Sequence, residues 1–265
     1  KTFDVREGNL KENLTLWQKD FDLENGPLHN ITYLYGYDDN SARIFFAMHH
    51  LVVDAISWRI LTEDLERLYN NQTLPLKGSS YRQWSNAIAN YADNSMQRKY
   101  WDNILEDFDN YKISNLYAKE NNIDNNSLSL TLEQTDKLLR HCNHSYNTQI
   151  NDLLLTALAY ALSEVFNNNI NHITLEGHGR EEIDESIDIN NTIGWFTIMY
   201  PIRLQSCESI KDSIIYNKEY LRQLPQNGLG YGAMFGYKKD KMPKISFNYL
   251  GQFNSSEGKY WSIVN

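Results

Sequence analysis

Two stretches rich in β-formers, residues 28–37 and 42–48, flank the polar run Asp38-Asp39-Asn40-Ser41. That spacing predicts an antiparallel strand pair joined by a short loop. The second stretch, Phe45-Phe46-Ala47-Met48, stops on His49-His50, and Asp54 follows before a helical pattern begins. Trp58, Leu61, Leu65 and Leu68 recur at helical spacing, with Glu63, Asp64, Glu66 and Arg67 off that face. A helix is therefore expected from Ser57, whose hydroxyl would serve as its N-cap. Residues 81–105 read as one further helix rich in aromatic residues, 127–132 alternate as a strand should, and 133–142 look helical.

The longest apolar stripe passes through Ile150, Leu153, Leu154, Ala157, Leu158, Ala161, Leu162 and Val165, and its spacing predicts a helix facing a core along that line. A short strand over 170–175, a helix over 209–224, a glycine-rich loop around Gly228, Gly230 and Gly232, and a strand over 245–249 complete the pattern. Strands alternating with helices imply layered α/β lobes. The polar, asparagine-rich residues 107–126 are the expected lobe boundary, which divides the chain into residues 1–112 and 113–265.

Composition narrows the class. The chain has 265 residues, 41% hydrophobic and 22% charged, enough for one large domain or two lobes with a real core. A net charge of −9 argues against non-specific binding to nucleic acid or to an anionic membrane. Cys142 and Cys207 form no disulfide framework and no metal-type spacing, and they read as reduced thiols of a cytosolic protein. No signal peptide opens the chain, and no apolar run reaches the length of a membrane span. With Lys1 in place of an initiator Met, the sequence reads as a piece of a longer polypeptide.

Three strings could carry chemistry. His49-His50 ends a buried strand, where each imidazole needs partners for two nitrogens. As strand neighbours their side chains should point to opposite faces, so one of them can face a given cleft while Asp54 braces the loop. Taken alone, the pair favours a structural role, and zinc binding is not expected because a helical H-E-x-x-H is absent. Glu176-Gly177-His178-Gly179-Arg180-Glu181 puts a carboxylate at a strand end before a sharp turn. Phe247-Asn248-Tyr249-Leu250-Gly251-Gln252-Phe253 offers an amide and a phenol near another strand end, suited to hydrogen-bonding an enolate oxygen. For each, the bland alternative is a solvated turn or core aromatics. Two ionisable groups delivered from separate strand ends are what proton transfer at carbon needs.

Together these strings give the sequence a specific resemblance. It is similar over nearly its whole length to the condensation-type domains of nonribosomal peptide synthetases, and within them to the epimerization subtype. His49 to Asp54 with Ser57-Trp58-Arg59 fits the H-H-x-x-x-D-G signature, with Ala55 in place of the usual glycine. The string Asn151-Asp152-Leu153-Leu154-Leu155-Thr156-Ala157 fits the next helix motif, EGHGRE marks the epimerizing branch, and Thr192-Ile193-Gly194-Trp195-Phe196-Thr197 with Tyr200-Pro201 fits the motif after it. Residues 225–232 and FNYLGQF complete the set. The family's opening motif is not found, so the first lobe is expected to be incomplete, and an arginine partner for Asp54 could lie outside the chain, with Arg59 the local alternative.

The resemblance implies two chloramphenicol-acetyltransferase-like lobes in a V-shaped pseudo-dimer, with the active site in a tunnel between them. It implies Cα epimerization of an aminoacyl or peptidyl thioester on the phosphopantetheine arm of a peptidyl carrier protein. That carrier would lie in the same polypeptide or an adjacent module, with a downstream condensation domain as a further partner. On this reading His50 and Glu176 are the proton-transferring pair, each serving as base in turn because the reaction is reversible. Tyr249 stands near the enolate or acts as a supporting acid; Asn248 positions substrate; His49, Asp54 and Arg180 support. No intrinsic cofactor or metal is implied, since the thioester itself acidifies the carbon. The rival readings are a peptide-bond-forming condensation domain, against which EGHGRE, GWFT and FNYLGQ count, and a non-catalytic carrier-docking fragment.

Overall fold

The structure, a computed structural model, describes residues 1–111, 124–143 and 146–251. They group into two compact units, one built from Lys1–Tyr81 and Asp188–Phe196, the other from Arg82–Ile187 and the described residues after Phe196.

In the first unit, β1 (Thr2–Asp4) pairs in parallel with β2 (His29–Tyr35), and β2 pairs antiparallel with β3 (Arg43–Met48). The expected hairpin is present, with Ile31 opposite Phe46 and Tyr33 opposite Ile44. Helix α1 (Leu10–Lys19) is capped by the Asn9 side chain, and its Trp17 packs edge-on to Phe3 and against Phe45. Helix α2 (Ala55–Tyr69) buries Ser57 and Ile60, and Trp58 meets Phe46 edge-to-face. Its N-cap is Asp54, not Ser57. A carboxylate in extended backbone accepts from the third helical N–H, which places Ser57 inside the first turn and leaves its hydroxyl for a long-range partner. Leu68, expected on the buried stripe, is 53% exposed at the fraying end of the helix.

The second unit opens with α3 (Tyr81–Tyr91), whose first residue belongs to the other unit, and α4 (Ser95–Asn110). The single helix expected over 81–105 is thus two, because the Asn94 side chain caps a new helix by accepting from the Gln97 N–H. The start of the expected boundary stretch, residues 107–110, is the end of α4 and buries Phe108; most of the rest lies outside the described residues. Residues 127–130 form no strand. Leu128 is 92% exposed, and the alternation finds no partner strand among the described residues. Helix α5 (Leu132–Asp136) begins with a capping box between Thr131 and Gln134 and runs into a π-turn over Lys137–His141.

Helix α6 (Ile150–Phe166) forms as predicted but turns a different face inward. Asp152, Leu155, Thr156, Ala159 and Leu162 are buried, whereas Val165 of the expected stripe is 72% exposed. The segment is apolar nearly all round, so periodicity could not choose the face. Buried polar groups choose it. Asp152 accepts from the Gln149 N–H, and the Thr156 hydroxyl donates to the Asp152 carbonyl. Strands β4 (Ile170–Gly177) and β5 (Ile198–Gln205) pair antiparallel along their whole length, from Ile170 opposite Gln205 to Gly177 opposite Ile198. Helix α7 (Ile210–Arg222) is latched to this pair by Asn217, which is fully buried. Its amide accepts from the Gln205 N–H and donates to the Gln205 and Ser213 carbonyls. Helix α8 (Gly230–Phe235) follows a short 3-10 turn over Pro225–Gly228. There the backbone at Gly228 has φ +89° and lies against the Tyr200 ring, so a side chain has neither the conformation nor the space. Strand β6 (Ser246–Phe247) pairs in parallel with β4; the expected strand over 245–249 is shorter than its sequence pattern.

The mixed α/β class is as expected. Trp101, Ile173, Ile202, Leu204 and Tyr231 are fully buried, and α4, α6, α7 and α8 all pack on the β4–β5 pair. No helix among the described residues is long and apolar enough to cross a membrane.

One buried polar cluster was not legible in the sequence. His172 of β4 is almost wholly buried, with its Nε2 2.9 Å from Asp107 and Phe108 packed on its ring. Arg203 lies 3.4 Å from the same carboxylate. Burial pushes the imidazole below its ordinary range, and the Asp107 hydrogen bond only partly offsets this. The folded chain therefore holds this proton less tightly than the unfolded chain. Stability is fully present above the unfolded histidine value of about 6.5 and is lost as pH falls through it toward the lower folded value. Thermal melts at about pH 7.5 and 5.5 should show a larger loss for the natural chain than for His172→Gln. Equal losses would assign the acid sensitivity elsewhere.

Candidate functional site

The histidine loop is built where β3 ends. His49 caps a 3-10 turn over His50–Val52, its Nδ1 accepting from the Leu51 N–H at 3.2 Å, and its ring meets Phe21 edge-on. His50 starts that turn, so strand alternation no longer governs it. Its exposed imidazole instead packs against the Trp195 indole, centroids 5.1 Å apart and planes tilted by 60°. The two histidines thus have different neighbours, and the strand alternation expected to separate them does not extend to His50.

Asp54 braces this loop by hydrogen bonds. Only 4% exposed, it accepts from the Ser57 N–H at 2.7 Å with one oxygen and from the Phe196 N–H at 3.2 Å with the other. Arg59 does not supply its counter-charge. That guanidinium lies 3.8 Å from Glu63 one turn along the helix, on the exposed face. Ala55 occupies the first position of α2 with an ordinary helical backbone and is exposed, so its methyl group does not strain the loop.

Residues 188–196 complete this arrangement. The Ser57 hydroxyl donates to the Gly194 carbonyl at 3.0 Å and lies 3.1 Å from the Gly194 N–H. The Tyr81 hydroxyl donates to the Trp195 carbonyl at 2.9 Å, and Thr192 donates to the Ser79 carbonyl at 2.6 Å. Phe196 is fully buried against Tyr81. Sequence reasoning gave Trp195 and Tyr81 no role. Gly194-Trp195-Phe196 was noticeable as a motif, whereas nothing near Tyr81 in the sequence marks it.

The other candidates lie in the second unit. Glu176 stands near the end of β4, and its Oε2 accepts from the Asn248 side-chain amide at 2.6 Å. This contact follows from register. The parallel pairing of Leu175 with Phe247 puts the next residues of both strands side by side. Tyr249 is half-buried one residue on, while Gln252 and Phe253 fall outside the described residues. Past Glu176 the chain turns at Gly179, with φ +67°. His178 accepts from the Arg180 N–H through Nδ1 at 3.0 Å and lies 3.2 Å from Glu181 through Nε2. The structure thus joins Glu176 with Asn248, and groups His178, Arg180 and Glu181 in the adjoining turn. No group of His, Cys, Asp and Glu residues able to hold a metal ion occurs among the described residues.

The Condensation domain family model matches residues 4–263. N-(5-amino-5-carboxypentanoyl)-L-cysteinyl-D-valine synthase of Penicillium rubens is 39% identical over 96% of this chain, and Gramicidin S synthase 1 of Brevibacillus brevis is 41% identical over 90% of it. The chain spans 7% and 24% of the length of these two relatives. The crystal structure of the epimerization domain from the third module of tyrocidine synthetase B superposes with a TM-score of 0.70 and 33% identity, over 95% of this chain and 62% of that one. The mixed α/β fold is that of these condensation and epimerization domains, which are chloramphenicol-acetyltransferase-like. A match along almost the whole chain, by sequence and by fold, places this protein in the condensation-domain family of nonribosomal peptide synthetases.

Proposed function

We propose that this chain inverts the Cα centre of an aminoacyl or peptidyl thioester held on the phosphopantetheine arm of a carrier protein. The observation that carries this reading is the Glu176 carboxylate at the end of β4, oriented by the Asn248 amide at 2.6 Å. A carboxylate fixed by one neutral donor suits a group that must accept and return a proton without shifting its place. Two likenesses support the epimerase subtype. The tyrocidine synthetase domain, 33% identical, is an epimerization domain, and the Penicillium relative is named for a product containing D-valine.

Domains of this family carry no cofactor of their own, and their substrate is brought on a carrier's pantetheine arm. The chemistry needs none. The thioester carbonyl acidifies the neighbouring C–H bond. A base takes that proton, and the bonding pair passes into the carbonyl to give an enolate. Donors near the oxygen stabilise the enolate. A proton delivered to the opposite face restores the C–H bond in inverted configuration, and the thioester bond stays intact throughout. We assign the two proton transfers to Glu176 and His50, with Tyr249 and Asn248 as enolate and substrate donors and His49, Asp54 and Arg180 supporting. The carrier lies in the same polypeptide or an adjacent module, and a downstream condensation domain would receive the D-configured product.

A peptide-bond-forming condensation domain is the second reading, favoured by the histidine loop that both share. The test uses the synthetase module to which we assign this chain, with its carrier loaded and no acceptor present. The epimerase reading expects D-isomer in the hydrolysed product. If D-isomer is absent and adding a loaded acceptor carrier yields peptide, the chain is a condensation domain.

A further inference from the structure

We propose that Trp195 is a positioning residue for His50, and that Tyr81 and Ser57 act through it by fixing the segment that presents the indole. This rests on the epimerase reading for its kinetic consequence, but the contact itself does not. His50 is exposed at the start of a 3-10 turn. A histidine in that position has two free side-chain torsions, and proton transfer to or from carbon tolerates little error in where the ring nitrogen lies. The Trp195 indole, 5.1 Å away and tilted by 60°, is a flat wall that limits those torsions. When the imidazole carries a proton, the ring face also attracts it.

The wall is itself held. Trp195 is 38% exposed, so burial alone does not fix it. Its carbonyl accepts from Tyr81, the preceding Gly194 is bonded through both backbone groups to Ser57, and the following Phe196 is buried with its N–H on Asp54. Gly194 has no room for a side chain, because an added Cβ would lie 2.6 Å from the Tyr81 ring. The residues on either side of Trp195 are therefore locked, while the indole projects to His50. Asp54 joins the two halves, since it caps the helix after the histidine loop with one oxygen and holds the Phe196 N–H with the other.

Two readouts separate this proposal from the epimerase reading. The first is proton NMR of the intact chain, with the His50 Cε1–H resonance identified by its loss in His50→Gln. An indole at this distance shifts that resonance by ring current. Trp195→Leu should move it toward the free-histidine position, and Trp195→Phe should retain part of the shift. This holds whatever the reaction. The second is the kinetics of D-isomer formation on a loaded carrier. Trp195→Leu should lower kcat about 10- to 100-fold with little change in KM, Trp195→Phe should recover most of the loss, and Tyr81→Phe should show a smaller drop. An unchanged His50 resonance in folded Trp195→Leu overturns the proposal. So does a Trp195→Leu enzyme with natural kcat. If the natural module makes no D-isomer, the epimerase reading fails and the resonance shift alone decides the contact.

Discussion

Glu176→Gln should lower D-isomer formation on the loaded carrier by about 10²- to 10⁴-fold, the span over which a positioned acid–base group acts. Glutamine keeps the volume of glutamate and an oxygen able to accept from the Asn248 amide, so the 2.6 Å contact at the β4 end has a substitute and the fold is preserved. What the variant lacks is a group that takes up and releases a proton. His50→Ala should have a comparable effect without loss of stability, because this imidazole is exposed and its neighbour His49 caps the turn. Chiral analysis of the amino acid released from the carrier measures both. Natural rates of inversion in either variant would remove that residue from the proton-transfer pair.

Trp101→Ala should destabilise the second unit by about 3–5 kcal/mol, the range for deleting a large buried aromatic. Trp101 is fully buried, with the Tyr231 ring 5.2 Å away edge-on, the Tyr200 ring 6.0 Å away and Tyr100 alongside. It fills the junction of α4, α8 and β5, three elements distant in sequence, so its removal leaves a cavity that none of them can close alone. The Gly228 backbone also lies against the Tyr200 ring, which limits how far that tyrosine can move to compensate. Urea denaturation followed by circular dichroism gives the loss directly. A change below about 1 kcal/mol would mean that the aromatic cluster repacks around the gap.

Much of this was legible in the sequence because it is local. The hairpin over residues 28–48, the glycine turn after Glu176 and the helix from residue 150 depend on neighbours within a few positions. Apart from the local Asn94 cap that splits the helix expected over 81–105, the misread features depend on distant partners or on competition between equals. Asp54 displaced Ser57 as the cap because the carboxylate also holds the Phe196 N–H, a bond spanning 142 residues. The buried face of α6 was set by Asp152 and Thr156, where hydrophobicity was nearly uniform. A strand expected over 127–132 had alternation but no partner among the described residues. Among the candidate residues, His50 and Glu176 stood out by type. The contact of Trp195 with His50 did not, because it forms only when residues 188–196 fold back on the histidine loop.

Proton transfer shared between two residues makes a sharper claim than loss of activity. If Glu176 and His50 share the transfers as proposed, removing one stops inversion, while the other can still take a proton from the enantiomer it faces and return one from solvent. Deuterium incorporation at Cα, read by mass spectrometry with chiral separation on carriers loaded with the L- or the D-form, tests this in heavy water. The natural module should exchange and invert both forms. Glu176→Gln should retain exchange of one form without inversion, and His50→Ala should retain exchange of the other. Exchange of the same form in both variants, or inversion surviving in either, would contradict it.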